Sequence, residues 1–133
     1  MKQIPIDECP AGTYLDVAVA KAQYHGEHLV IDFKHRLFST SDRAISCIKL
    51  SRYSTDIAPA WELVEELHDQ SIFMCLSDEN DLYEWYCGLT NAIDDRTISF
   101  EIGADTAPLA ITRAYLKAKG VEFVEVADET NTD

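Results

Sequence analysis

The chain has little positive charge and no long apolar run. Its 133 residues include 11 Lys and Arg against 24 Asp and Glu, which gives a formal net charge of −13. Because binding to nucleic acid irrespective of sequence requires a basic surface that neutralises phosphates, we expect no direct contact with nucleic acid. Docking on anionic membranes is disfavoured for the same reason. No apolar run approaches the roughly 20 residues of a membrane span, and residues 1–9 lack the apolar centre of a signal peptide, so we expect a cytoplasmic protein.

Glycine, histidine and cysteine are too few, or too unfavourably spaced, to form a familiar catalytic or metal-binding motif. The 5 glycines include no phosphate-binding loop. His25 and His28 have a spacing that suits one helical face, but Gly26 and the apolar run after it indicate the start of a strand, so we expect no converging metal ligands. We predict no enzymatic activity, no metal and no cofactor. The cysteines follow no disulfide or zinc spacing and are expected to be reduced and mostly buried: Cys9, Cys47, Cys75 and Cys87.

The length and the composition predict one folded domain. With 133 residues, of which 47% are hydrophobic and 26% charged, the chain is typical of an ordinary globular protein and too short for two independent cores. We expect a single domain over residues 1–127 and a polar tail over residues 128–133.

Three segments have the periodicity of amphipathic helices, at about residues 11–23, 57–69 and 107–119. In the second of these helices, one face is apolar and the opposite face is acidic. The apolar face is expected to pack on the core and consists of Ile57, Ala60, Trp61, Val64 and Leu67. The acidic face is expected to be exposed and consists of Glu62, Glu65, Glu66 and Asp69.

Strand-like segments separate the helices, at about residues 28–33, 44–50, 71–76, 82–89, 97–102 and 121–126. Turn-rich sequence joins the third segment to the fourth and the fourth to the fifth, which predicts an antiparallel meander. Strands interleaved with helices in this way predict an α+β fold, a layered α/β/α sandwich with a mainly antiparallel sheet and three helices.

The second and third helices begin with related tetrapeptides, Asp-Ile-Ala-Pro at residues 56–59 and Asp-Thr-Ala-Pro at residues 105–108. Asp and Thr side chains accept hydrogen bonds from the backbone N–H groups in the first turn of a helix, and proline is tolerated there. Both tetrapeptides therefore predict N-caps. An alternative is a polar pocket for a small anion, if the two helix starts lie side by side. The candidate residues of this pocket are Tyr53, Ser54, Thr55, Asp56, Asp105 and Thr106.

An aromatic cluster lies on the predicted strand at residues 82–89. Strand alternation places Tyr83 and Trp85 on one face and Tyr86 on the other. A strand covered by helices would use these rings for packing, whereas exposed Tyr83 and Trp85 would form a binding surface. The sequence is compatible with both interpretations.

Three stretches of the chain resemble a family of small phage and prophage proteins. Residues 53–67, Tyr-Ser-Thr-Asp-Ile-Ala-Pro-Ala-Trp-Glu-Leu-Val-Glu-Glu-Leu, closely resemble the hallmark segment of the phage ABA sandwich domain family. Residues 104–114 resemble its second hallmark, and residues 10–20 resemble its opening helix. The resemblance implies helices on both faces of a sheet, and it implies no particular biochemistry. The chain departs from the family pattern at Ser51-Arg52, where a proline is usual, and in an acidic extension from Val121 onward.

We hypothesise a phage- or prophage-encoded, non-enzymatic accessory protein that binds and modulates a host protein. The family resemblance, the net charge of −13 and the lack of a catalytic motif motivate this hypothesis. Acidic residues cluster at residues 62–69, 78–84 and 122–133. Surfaces of this kind attract basic proteins, so we expect an acidic inhibitor or a nucleic-acid mimic.

The alternative hypothesis is a small-molecule binding module that sequesters a nucleotide-like messenger of host defence. The polar helix starts and the aromatic strand motivate it, because an aromatic side chain can stack on a base. Such modules commonly form their pocket between subunits, so this hypothesis also predicts a homo-oligomer.

Overall fold

A computed structural model describes residues 2–24, 29–40, 48–69, 72–77, 85–91 and 101–126. Within these ranges the helices are α1 (Thr13–Gln23), α2 (Ile57–Asp69) and α3 (Ala107–Ala118). The strands are β1 (Lys2–Pro5), β2 (Leu29–Asp32), β3 (Leu37–Thr40), β4 (Ile48–Lys49), β5 (Ile72–Ser77), β6 (Trp85–Asn91), β7 (Glu101–Ala104) and β8 (Phe123–Val126). The predicted α+β sandwich with three helices and antiparallel pairing is confirmed. The predicted polar tail at residues 128–133 lies outside the described residues.

The described strands form three separate antiparallel sheets, ordered β1-β8, β2-β3-β4 and β5-β6-β7. The third sheet is the predicted meander, in which Cys87 of β6 pairs with Leu76 of β5 and with Ile102 of β7. The sequence did not indicate β1 or β3. β1 ends in Pro5 and pairs with β8 from the other end of the chain, so no local pattern marks it as a strand.

The helices pack against one another, with α3 in contact with both α1 and α2. α2 and α3 pack against each other and cover one face of the sheet β5-β6-β7. α1 joins this main core through Leu15 and Val19, and it also contacts a second cluster through Val17 and Ala20, which pack with Phe38 of β3. α1 is therefore covered on two opposite sides.

α3 is the most deeply buried helix of the described residues. Every residue from Leu109 to Leu116 is buried, including the charged Arg113. The guanidinium of Arg113 donates to the carbonyl oxygen of Cys9 at 2.7 Å and to that of Gly103 at 2.9 Å, so its burial is compensated by hydrogen bonds. In the parts of the chain that the structure describes, no helix has the length and hydropathy needed to cross a membrane.

The prediction for the core face of α2 is partly wrong. Ala60, Leu63 and Leu67 are completely buried, whereas Ile57 and Trp61 are 51% and 50% exposed. A helix presents one stripe to its neighbours, and residues 60, 63 and 67 form that stripe against α3 and β5. Ile57 and Trp61 lie to one side of the stripe, so their apolar character does not bring them into the core.

Candidate functional site

The residues predicted at the helix starts divide into a buried group and an exposed group. Tyr53 and Ser54 are buried. The hydroxyl of Thr112 donates to the carbonyl oxygen of Tyr53 at 2.8 Å, which fixes the approach to α2 against α3. Two of the residues proposed for an anion pocket are therefore part of the interior. The others are exposed to solvent, namely Thr55, Asp56, Asp105 and Thr106.

The N-cap interpretation explains the exposed residues at the start of α3. The hydroxyl oxygen of Thr106 accepts a hydrogen bond from the backbone N–H of Leu109 at 3.4 Å. At the start of α2, the carbonyl oxygen of Asp56 accepts from the backbone N–H of Ala60 at 3.2 Å, which is the first bond of that helix. Both sequences therefore lie at helix starts, and the predicted side-chain N-cap is observed for Thr106.

Ser54 belongs to a buried polar cluster that the sequence did not indicate. Its centre is Asp16 of α1, which is only 1% exposed. One carboxylate oxygen of Asp16 accepts from the backbone N–H and from the hydroxyl of Ser54, both at 2.8 Å. The other oxygen pairs with the guanidinium of Arg36 at 2.8 Å, and Arg36 also donates to the hydroxyl of Thr13 at 2.7 Å. The cluster holds α1 to the turn after β2 and to the start of α2.

The aromatic strand is described in part. Trp85 is half-buried and packs against the main core, as the packing interpretation predicts. Tyr83 and the side chain of Tyr86 lie outside the described residues, so a binding surface with Tyr83 stays a prediction.

His35, Cys9 and Cys87 have structural surroundings, whereas Cys47 and the side chain of Cys75 lie outside the described residues. Among the described residues, no group of three or more His, Cys, Asp or Glu could hold a metal ion; His25 and His28 are outside these residues. His35 lies 2.8 Å from the carboxylate of Asp32, and this hydrogen bond lowers the pKa of Asp32. Cys9 is buried, and burial raises the pKa of its thiol, which disfavours a nucleophilic thiolate. Cys87 is buried as well.

The exposed side of α2 combines apolar and acidic residues. Ile57, Trp61 and Glu65 follow one another at intervals of four residues, so they form one row along the helix. Asp69 continues the row, Glu62 is exposed beside it, and α2 contains no Lys or Arg. We call these five residues the α2 outer surface.

Glu66 does not belong to the α2 outer surface, although the sequence placed it on the acidic face. Its carboxylate accepts a hydrogen bond from the hydroxyl of Tyr115 and one from the amide of Gln23, and it lies 3.2 Å from Nζ of Lys119. Burial raises the pKa of Tyr115, and the hydrogen bond to Glu66 and the charge of Glu66 raise it further. Glu66 therefore joins α2 to α3 and to the end of α1.

A cleft of about 580 Å³ lies between α1 and β8, and we call it the α1–β8 cleft. Its wall on the α1 side includes Tyr14, Val17, Ala18 and Lys21. Its opposite wall includes Lys119, Val121, Phe123 and Glu125. No sequence motif indicated this cleft, because its two walls come from opposite ends of the chain.

The family model of the phage ABA sandwich domain matches residues 25–116, which is more than half of the chain. The chain belongs to the phage ABA sandwich domain family. No curated protein and no solved structure matches it. The match contains both hallmark stretches, at residues 53–67 and 104–114. The stretch at residues 10–20, which resembles the opening helix of the family, precedes the match.

In this phage ABA sandwich protein, the α2 outer surface lies within the residues that the family model matches, and the α1–β8 cleft lies outside them. The α2 outer surface is within the matched residues. The walls of the α1–β8 cleft come from residues 14–22 and 119–125, all of which are outside the match. The cleft is therefore formed by segments that flank the family domain.

Proposed function

We propose that this phage protein is a non-enzymatic accessory protein of the host cytoplasm, which binds and modulates a basic host protein through the α2 outer surface. The observation that carries the proposal is the half exposure of Trp61 and Ile57 on a helix that has three exposed carboxylates and no Lys or Arg. Charge and shape together support a partner with an apolar pocket surrounded by Lys and Arg.

Trp61 is suited to be the anchor of such an interface. Tryptophan is enriched among the residues that dominate binding energy, because its large ring loses much water-exposed area when a pocket takes it up. Trp61 exposes 50% of its surface in the isolated chain, and Ile57 exposes 51% one turn away. A pocket that accepts both side chains would bury a continuous apolar patch.

The charges around Trp61 favour a basic partner. Glu65 and Asp69 continue the row of Ile57 and Trp61, Glu62 lies beside it, and the whole chain carries a net charge of −13. Complementary charge speeds encounter with a positively charged protein and disfavours acidic ones. A nucleic-acid-binding protein of the host fits this description, since such proteins present basic surfaces to phosphates.

A second copy of the chain is a poorer occupant of the same surface. In a two-fold symmetric dimer, the same patch of both copies forms the interface. Glu62 and Glu65 of one copy would then face the same carboxylates of the other, and like charges that face each other are destabilising.

The test is affinity capture from a bacterial lysate, followed by binding measurements with the purified captured protein. Two variants alter the α2 outer surface: Trp61→Ser, and the double variant Glu62→Lys/Glu65→Lys. Two matched controls make the same changes at exposed residues elsewhere: Phe123→Ser, and Glu8→Lys/Glu122→Lys. Thermal unfolding of all four variants confirms that they are folded.

The proposal predicts a stoichiometric basic protein that the wild-type chain and both controls bind. Both α2 variants should lose it, and binding should weaken at high salt because screening reduces the attraction between exposed charges. Equal binding by wild-type and α2 variants would refute the proposal, and so would equal loss with the control variants. Disruption of a homodimer by Trp61→Ser, seen by light scattering, would assign the surface to self-association instead.

A small-ligand function is the second candidate, and one observation favours it. The helix-start residues on which that hypothesis depended do not support it, because Tyr53 and Ser54 are buried in internal contacts. The α1–β8 cleft supports it from a different part of the molecule.

A further inference from the structure

The α1–β8 cleft opens beside α1, a helix whose other sides are held by packing and by hydrogen bonds. Leu15 and Val19 of α1 pack in the main core, Val17 and Ala20 pack in the second cluster, and Asp16 is held by the buried polar cluster. The side of α1 that includes Tyr14, Ala18 and Lys21 lines the cleft. Its volume of about 580 Å³ is within the range of about 300–1,000 Å³ found for small-molecule sites.

The charge of the cleft differs from that of the molecule around it. Two lysines, Lys21 and Lys119, and one carboxylate, that of Glu125, line it in a chain whose net charge is −13. Lys119 is positioned by Glu66, 3.2 Å away, and lies over the ring of Tyr115. Lys21 is exposed on the α1 wall of the cleft, where an ammonium group attracts an anion.

The rings of the cleft suit a flat apolar group. Phe123 of β8 is 51% exposed although it is a large aromatic residue. On the opposite wall, Tyr14 is half-buried, and its ring contacts that of Phe33 with centroids 5.2 Å apart. An aromatic ligand would cover the exposed ring of Phe123, and stacking of a base on an aromatic side chain contributes favourably to binding.

We propose that the α1–β8 cleft binds a nucleoside monophosphate. Lys21 and Lys119 bind the phosphate, because lysine ammonium groups act as point charges for this anion. The base lies against Phe123 and Tyr14. The carboxylate of Glu125 accepts a hydrogen bond from an exocyclic amine of the base or from a ribose hydroxyl, which accounts for an acidic residue in an anion site.

A free nucleotide fits the molecule better than a nucleic-acid chain does. A polynucleotide would extend its phosphates beyond the cleft and along the surface of a protein with a net charge of −13. The repulsion between like charges would oppose its binding. Only two lysines line the cleft as described, which suits one phosphate group better than a chain of them.

The test is a titration of the isotopically labelled full chain, followed by NMR, with four probes. They are adenosine monophosphate, adenosine, inorganic phosphate and a short oligoadenylate. Lys21→Gln removes a phosphate contact, and Phe123→Ser removes a stacking surface. The matched controls are Lys49→Gln, at an exposed lysine of β4, and Trp61→Ser, at the α2 outer surface.

The proposal predicts saturable shifts in α1 and β8 with adenosine monophosphate, and affinities at least about tenfold lower for the other three probes. Lys21→Gln and Phe123→Ser should each weaken adenosine monophosphate by about tenfold, which corresponds to about 1.4 kcal/mol, and both controls should bind it as the wild type does. The proposal is refuted by no saturation at millimolar concentration, by equal binding of inorganic phosphate, by tighter binding of the oligoadenylate, or by unchanged affinity in both cleft variants. Trp61→Ser separates this outcome from that of the α2 proposal, because it should abolish partner capture and leave the cleft intact.

Discussion

Helices α1 and α2 depart from the amphipathic rule in opposite directions. α1 takes the charged Asp16 into the interior, where it is 1% exposed, whereas α2 leaves the apolar Trp61 half exposed. Asp16 is stable inside because Ser54 and Arg36 occupy both of its oxygens. Trp61 stays outside because α2 turns Leu63 and Leu67 toward its neighbours. The available partner groups, and not the polarity of a residue alone, decide which side of a helix is buried.

Asp16 and Trp61 also show how a residue that stabilises the fold differs from a residue that forms an interaction surface. A buried polar residue that has all its hydrogen bonds, such as Asp16, holds elements together. A large apolar residue that stays exposed, such as Trp61, is a feature of interaction surfaces. The following predictions test this distinction.

The largest effect is expected at Asp16. Asp16→Ala leaves the guanidinium of Arg36 and the backbone N–H of Ser54 without their buried acceptor, so we expect the free energy of unfolding to fall by about 3–5 kcal/mol. Urea denaturation measures it. The control is Asp32→Ala, which removes an exposed carboxylate that pairs with His35 and should leave the denaturation midpoint nearly unchanged. Similar small effects in both variants would contradict the role assigned to the buried cluster.

A sharper contrast is expected within α2, between two residues that are two positions apart in the chain. Leu63 is completely buried, so Leu63→Ala should reduce the free energy of unfolding by about 2–5 kcal/mol. Trp61→Ser changes an exposed position and should alter it by no more than about 0.5 kcal/mol. Thermal or urea unfolding of both variants gives the comparison. A loss of several kcal/mol in Trp61→Ser would show that Trp61 belongs to the core.

A smaller effect is expected at the contact between Tyr115 and Glu66. Tyr115→Phe removes a hydrogen bond to a carboxylate and keeps the packing of the ring, so we expect a loss of about 1.5–3 kcal/mol. Because the pKa of Tyr115 is raised in the folded chain, the unfolded chain loses this proton at lower pH than the folded chain does. Stability is therefore fully present below about pH 10, the ordinary pKa of tyrosine, and falls at higher pH.

The matching measurement is the free energy of unfolding of the wild type and of Tyr115→Phe between neutral and strongly alkaline pH. The alkaline decline should be shallower in the variant. It should not vanish, because burial also raises the pKa of Tyr53. An identical decline in both proteins would contradict the assignment of this pH dependence to Tyr115.

The helices and strands that could be predicted from the sequence are those whose residues form a clear local pattern. The tetrapeptide at residues 105–108 predicts the start of α3. The spacing of Ala110, Ile111 and Ala114 predicts its apolar face, and all three residues are buried. The meander follows from three apolar runs with turn-rich connections. These features depend on neighbours in the sequence.

The features that the sequence did not reveal depend on partners that are distant in the chain. Asp16 is buried because Arg36 and Ser54 reach it from later elements, and β1 is a strand because β8 pairs with it. The orientation of α2 depends on its packing against α3, so a helical pattern alone did not distinguish Leu63 from Trp61. The α1–β8 cleft likewise requires both ends of the chain.

The central claim, that Trp61 is exposed in order to bind a partner, has one direct test. The chain has 2 tryptophans, so Trp85→Phe leaves Trp61 as the sole tryptophan fluorophore. Acrylamide quenching of its emission is measured in the free chain and after addition of the purified captured protein. Our account predicts strong quenching in the free chain and protection in the complex. Weak quenching in the free chain, or quenching that the partner leaves unchanged, would contradict it.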